Sequence, residues 1–158
     1  MEDFNDVYLN LTMKTVFMLK WVSKSCQDAK FVLKVDDDVF VNTEMVWSTL
    51  ESSHLYSALL ATKDGVQPDG AATSGNVDYA VIGHVMHTVP IRDPASKWYL
   101  PVSFYPLNIF PAFTSGTAYI FTGSLVPALY KCALNTPFIN LEDVFLTGLC
   151  ASTQLRLR

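Results

Sequence analysis

The sequence predicts an α/β sandwich formed by one domain over residues 1–158. Three observations carry that expectation. Early in the chain, apolar residues recur at steps of three and four, the spacing of one helix face. Short apolar runs edged by turn residues follow, as buried strands require. Helical and strand-like segments then mix along the chain, which suits helices packed on a sheet. Half of the residues are apolar and 13% are aromatic, so the chain can bury a core and is not disordered.

The elements follow in order. Leu9, Met13, Val16, Phe17 and Trp21 place a helix over 7–22. Inside it, Asn10-Leu11-Thr12 is a glycosylation acceptor triplet, short and common enough to carry little weight by itself. Residues 31–35 form an apolar strand with little alternation, as expected for a parallel sheet covered on both faces. A helix over 43–50 should follow, capped by Asn42 or Thr43. Residues 64–76 are rich in glycine and small polar residues and read as a mobile surface loop. Strands are expected over 79–85 and 118–121, and helices over 125–134 and 142–151. Between them, residues 90–111 hold Pro90, Pro94, Pro101, Pro106 and Pro111 among many aromatics, so this stretch should be ordered but irregular.

Several function classes are set aside at this point. A formal charge of −4 argues against nucleic-acid binding. No apolar run approaches the roughly 20 residues of a membrane span. Cys26, Cys132 and Cys150 form no C-x-x-C pair, so a zinc site is not expected; three buried thiols or one disulfide both remain open. His54, His84 and His87 have no ligand spacing beyond one i, i+3 pair.

The sharpest feature is Asp36-Asp37-Asp38, directly after the apolar strand and before Val39-Phe40-Val41. In an extended chain Asp36 and Asp38 share one side and Asp37 takes the other. Two like charges about 4 Å apart cost roughly 4 kcal/mol at an effective dielectric near 20. A hard cation such as Mg²⁺ or Mn²⁺ removes that cost. A calcium loop is excluded, since counting from Asp36 puts Val41 where glycine is needed and Trp47 where glutamate is needed. The competing reading, a solvated turn, is weakened by the apolar flanks on both sides.

Glu142-Asp143 opens the last expected helix. Carboxylates are favoured in a first helical turn by the helix dipole, which is the plain structural reading. The functional one is a general base that takes a proton from an attacking hydroxyl. Trp98, Tyr99, Tyr105, Phe110 and Phe113 offer flat faces for a sugar, although most read better as a satellite cluster under a long loop. Ser115-Gly116 is the exception, since glycine lets backbone approach a ligand closely.

Four blocks, in order along nearly the whole chain, resemble the β-1,3-glycosyltransferase family of β-1,3-galactosyltransferases and β-1,3-N-acetylglucosaminyltransferases. Glu2-Asp3-Phe4, Asp6, Tyr8, Asn10-Leu11-Thr12 and Lys14-Thr15 resemble its opening block. FVLKVDDDVFVN over 31–42 resembles its DxD-type metal motif. Lys97-Trp98-Tyr99, Tyr105-Pro106, Phe110-Pro111 and Ser115-Gly116 resemble its aromatic block, and Glu142-Asp143-Val144 with Gly148 and Cys150 its acidic helix block.

The resemblance implies a GT-A-type nucleotide-sugar-binding fold with a mixed central sheet, incomplete over these residues. It implies UDP-galactose or UDP-N-acetylglucosamine as donor, Mn²⁺ or Mg²⁺, and inverting β-1,3 transfer to a glycoprotein or glycolipid acceptor at the lumenal side of the Golgi membrane. By it, Asp38 with Asp36 would hold the metal, and Asp36 or Asp37 would face the nucleotide. Ser115 and Gly116 would contact the donor. Asp143 would be the base, with Glu142 the next candidate. The family's membrane anchor, its N-terminal nucleotide-binding strands and a C-terminal metal-binding histidine fall outside these residues. The chain is therefore expected to be truncated at both ends and weak or inactive by itself. Phe110 and Phe113 stand where the family usually has tyrosine, and Thr117-Ala118 where it has a glycine-rich pair. The alternative is a catalytically inactive relative acting as a chaperone or glycan-binding module. The intact aspartates and Glu142-Asp143 favour the enzyme.

Overall fold

The computed structural model describes residues 3–51 and 80–155. The loop expected over 64–76, His54 and the first residue of the strand expected over 79–85 lie outside the described residues.

A 3₁₀ turn, Tyr8–Asn10, leads into α1, Leu11–Ser25. The helix starts later than its periodicity suggests because Val7 is still extended. The Asn10 amide donates to Asn5 O at 2.8 Å, and the buried Thr12 hydroxyl donates to Ile139 O at 2.9 Å. The Asn10-Leu11-Thr12 triplet thus fastens this helix start to the segment ahead of the acidic helix.

β1, Phe31–Val35, falls where expected, and α2, Thr43–Glu51, follows it. Asn42 is the cap of α2, its Oδ1 accepting from Met45 N–H at 3.0 Å. β2 is Val81–Met86 and β3 is Phe113–Thr122. β3 is much longer than the strand expected over 118–121, because Ser115, Gly116 and Thr117 break the apolar pattern, and the pairing with β2 shifts register across them, from Gly83 opposite Tyr119 to Val85 opposite Thr114. A 3₁₀ turn, Gly123–Leu125, enters α3, Val126–Ala133. The last helix begins at Glu142, is π-helical over Val144–Cys150, and ends in α4, Ala151–Leu155.

The sheet order is β1-β3-β2, and both pairings are antiparallel. Among the described residues the expected parallel, doubly covered β1 and mixed sheet are therefore not found. β1 is an edge strand of this sheet and only half buried, with Leu33 39% exposed. Its register sets Val32 against Phe121 and Lys34 against Tyr119. Tyr119 and Phe121 are fully buried on the face where the helices pack, so Lys34 sits on the inner face of the sheet.

The core joins Leu19 of α1, Leu129 of α3, Tyr119 and Phe121 of β3, and Phe145 of the π-helical segment. Tyr105, Phe110 and Phe113 belong to this main core rather than to a satellite cluster. Arg92 holds the proline-rich stretch in place, donating to the carbonyls of Leu100, Tyr105 and Leu107 at 2.5, 2.7 and 2.8 Å. All three cysteines are free thiols, and burial pushes that of Cys150 up to about 12. Among the described residues, no helix is long and apolar enough to cross a membrane.

Candidate active site

A cleft of about 630 Å³ opens where the ends of β1, β3 and the acidic helix meet. Asp36, Asp38, Ser115, Gly116, Glu142 and Asp143 all line it. Residues far apart in sequence thus line one cleft. Asp37 is exposed and outside this lining.

The aspartates are not extended. Val39 N–H donates to Asp36 O at 3.3 Å, closing a turn, while Asp36 N–H still donates to Thr117 O of β3 at 3.0 Å. The last rung of the ladder therefore anchors the turn, and Asp36 and Asp38 reach the cleft from it. Lys34 organises this corner. Its ammonium lies 2.6 Å from Asp36 Oδ1, donates to Gly116 O at 2.5 Å and is 3.9 Å from Glu142 Oε2. Its side chain is only 15% exposed, so these contacts stand in for lost water. They also relieve the repulsion among the surrounding carboxylates.

Glu142 and Asp143 are adjacent but placed very differently. Asp143 is half buried and reaches the cleft. Its Oδ2 accepts from Gly116 N–H at 3.1 Å and its Oδ1 from its own helix at Val144 N–H, 2.8 Å. Two backbone donors thus fix the carboxylate. A Cβ on residue 116 would come within 3.3 Å of Asp143 Oδ2, which explains glycine there. Thr147 ties the same pieces together. It accepts from Thr114 N–H at 2.9 Å and donates to Asp143 O at 2.6 Å, the kind of carbonyl a π-helical turn leaves poorly served.

Glu142 is buried, at 6% exposure, and its Oε1 accepts from the Tyr119 hydroxyl. Burial raises its carboxyl from 4.5 to about 7, against the opposing pull of Tyr119 and Lys34. Burial and the neighbouring Glu142 hold the Tyr119 phenol well above its usual range, so Tyr119 stays the donor.

Sequence reasoning named the acidic residues and missed Lys34, Tyr119 and Thr147. A signal for Lys34 was present: a lysine inside an apolar strand, two residues before Asp36, shares its side in an extended chain. Tyr119 and Thr147 gave no such signal. Ser115 Oγ is engaged locally with Thr117 Oγ1 at 3.2 Å.

Among the described residues no group of three or more His, Cys, Asp or Glu side chains could enclose a metal. Asp36 and Asp38 nevertheless suit Mg²⁺ or Mn²⁺, which takes one or two carboxylates and completes its shell with water and phosphate oxygens. Asp36 keeps one oxygen beyond its bond to Lys34.

The family model for galactosyltransferases matches residues 1–155. The chain belongs to the galactosyltransferase family. It is 39% identical over 149 residues to the β-1,3-galactosyltransferases 1 of mouse and human, covering 94% of this chain and 40% of each relative. It is 35% identical over 153 residues to human β-1,3-galactosyltransferase 5, covering 94% of this chain and 41% of that protein. The chain thus spans about two fifths of the length of these curated relatives. The helix-and-antiparallel-sheet architecture is consistent with an α/β domain of this family.

Proposed function

We propose that this chain carries the catalytic centre of a β-1,3-galactosyltransferase, moving galactose from UDP-galactose to a hydroxyl of a glycoprotein or glycolipid glycan. One observation supports this above the others: Asp143, fixed by two backbone N–H groups, shares a cleft with Asp36 and Asp38. The names of the relatives favour galactose over N-acetylglucosamine as the transferred sugar.

In this reading Asp143 is the general base. Its carboxylate takes the proton of the acceptor hydroxyl as that oxygen forms its bond to the anomeric carbon and the bond to UDP breaks. Attack opposite the leaving group inverts the anomeric centre. Asp36 and Asp38 would hold Mn²⁺ or Mg²⁺, which supplies positive charge for the departing diphosphate. Lys34 keeps Asp36 and the Gly116 carbonyl in register with the end of β1. Glu142, buried and bonded to Tyr119, positions the first turn of the helix and does not take the proton itself.

The test is calorimetric titration with UDP-galactose and UDP-N-acetylglucosamine, with and without Mn²⁺, on wild type, Asp38→Ala and Asp143→Asn. UDP-galactose should bind more tightly of the two, in a metal-dependent way lost in Asp38→Ala. Asp143→Asn should keep binding while its turnover falls by about 10²- to 10⁴-fold. Metal-independent binding that survives Asp38→Ala would remove the donor-site assignment.

A further inference from the structure

The cleft has a second, chemically different wall. Tyr8, from the turn before α1, and Lys97-Trp98, from the proline-rich stretch, line the same space as Asp143. The Lys97 ammonium lies 4.5 Å from the centre of the Trp98 ring and 5.9 Å from that of Tyr8. Both rings stay about half exposed, Trp98 at 47% and Tyr8 at 49%. Aromatic rings left accessible on the wall of a cleft suit the apolar face of a ligand.

We propose that Tyr8, Lys97 and Trp98 form the binding wall for the acceptor hexopyranose. The inference rests on the galactosyltransferase reading of the cleft and adds the subsite that reading does not supply. Two sugars must meet beside Asp143, and Asp36 and Asp38 commit their end to a metal and a diphosphate. A neutral hexose has the complementary needs. Its C–H-rich face packs on an aromatic ring, and its rim of hydroxyls needs hydrogen-bond partners. Trp98 and Tyr8 supply the rings. Lys97 supplies an ammonium with three N–H donors, held by the two π faces. Lys34, by contrast, is already committed to Asp36, Glu142 and Gly116 O.

The wall is also firmly mounted. Trp98 N–H donates to Ser96 Oγ at 3.2 Å, and Leu100 N–H to Ile91 O at 3.0 Å. Arg92 braces the stretch from behind through its three carbonyl contacts. The backbone that carries Lys97 and Trp98 is therefore held before a ligand binds.

The experiment is ligand-observed NMR titration of the 158-residue chain with methyl β-galactopyranoside and methyl β-N-acetylglucosaminide, and separately with UDP plus Mn²⁺. The proteins are wild type, Trp98→Ala, Trp98→Phe, Lys97→Gln and Asp38→Ala. Trp98→Ala should weaken the glycoside that binds wild type by about tenfold, as loss of one aromatic contact implies. Trp98→Phe should keep affinity within about threefold, showing that the fold survives replacement there. Lys97→Gln should weaken the glycoside severalfold, and neither substitution should move UDP by more than about twofold. Asp38→Ala should do the reverse, losing UDP and keeping the glycoside. Absence of glycoside binding by wild type, or its persistence in Trp98→Ala and Lys97→Gln, overturns the proposal. So does a loss of UDP without loss of the glycoside in Lys97→Gln, which would make Lys97 a phosphate ligand. If wild type takes the glycoside in a Trp98-dependent way but no UDP, the wall stands independently of the donor-site reading.

Discussion

Replacing Glu142 with glutamine should stabilise the protein above neutral pH and do little in acid. Glu142 is buried, and burial raises its carboxyl from 4.5 to about 7. Between those values the folded protein binds a proton that the unfolded chain has released. Stability from this group is therefore fully present below pH 4.5 and is lost as pH rises through about 7. At about 1.4 kcal/mol per unit, the titration of Glu142 costs roughly 3 kcal/mol at pH 8, where the buried carboxylate is ionised, and about 1 kcal/mol at pH 5, where only the unfolded chain has lost the proton. Glutamine keeps the volume and the acceptor oxygen for the Tyr119 hydroxyl, and Lys34 retains Asp36 and Gly116 O. For a chain of this size 1 kcal/mol is worth about 2–4 °C, so Glu142→Gln should melt about 6–12 °C higher at pH 8 and only a few degrees higher at pH 5. Thermal unfolding followed by circular dichroism from pH 5 to 8.5 reads this directly. A variant less stable than wild type at pH 8, or a gain that does not shrink in acid, would show that the Lys34 and Tyr119 contacts outweigh burial.

Three further substitutions test how the cleft is held. Gly116→Ala sets a methyl 3.3 Å from Asp143 Oδ2, so the carboxylate must shift by a few tenths of an ångström; transferase turnover should fall about tenfold with little change in melting temperature. Thr147→Val strands the Thr114 N–H, which should cost about 2 kcal/mol in urea unfolding, while Thr147→Ser should restore most of it. Arg92→Leu leaves the carbonyls of Leu100, Tyr105 and Leu107 without their donor. A loss of about 3 kcal/mol is expected, with faster proteolysis within 90–110 as the local readout.

What the sequence made legible was local. Periodicity and capping placed α2 within a residue and narrowed its cap to Asn42 or Thr43, of which the fold uses Asn42, because both signals live within a turn of helix. β1 was placed correctly, but its partners were not, since a five-residue apolar run looks the same on a buried central strand and on a half-buried edge. β3 was clipped because Ser115, Gly116 and Thr117 interrupt the apolar pattern in its first half. The acidic site residues stood out by charge. Lys34, Tyr119 and Thr147 did not, because their roles come from pairing across a register or a helix turn that only the fold creates.

The division of labour between Glu142 and Asp143 follows from helix geometry. Neighbouring residues on a helix point about 100° apart, so adjacent carboxylates cannot face one cleft equally. The fold turns one inward, against Tyr119 and Lys34, and the other toward the cleft edge, against Gly116. The inward carboxyl holds its proton up to about pH 7, which lowers the charge beside Asp143 and Asp36 in mildly acidic conditions. Protonation of Glu142 also leaves Lys34 free to bind Asp36 and Gly116 O alone. A single buried acid thus sets how strongly the corner of the cleft is charged, and Thr147 and Gly116 set where the base within it stands.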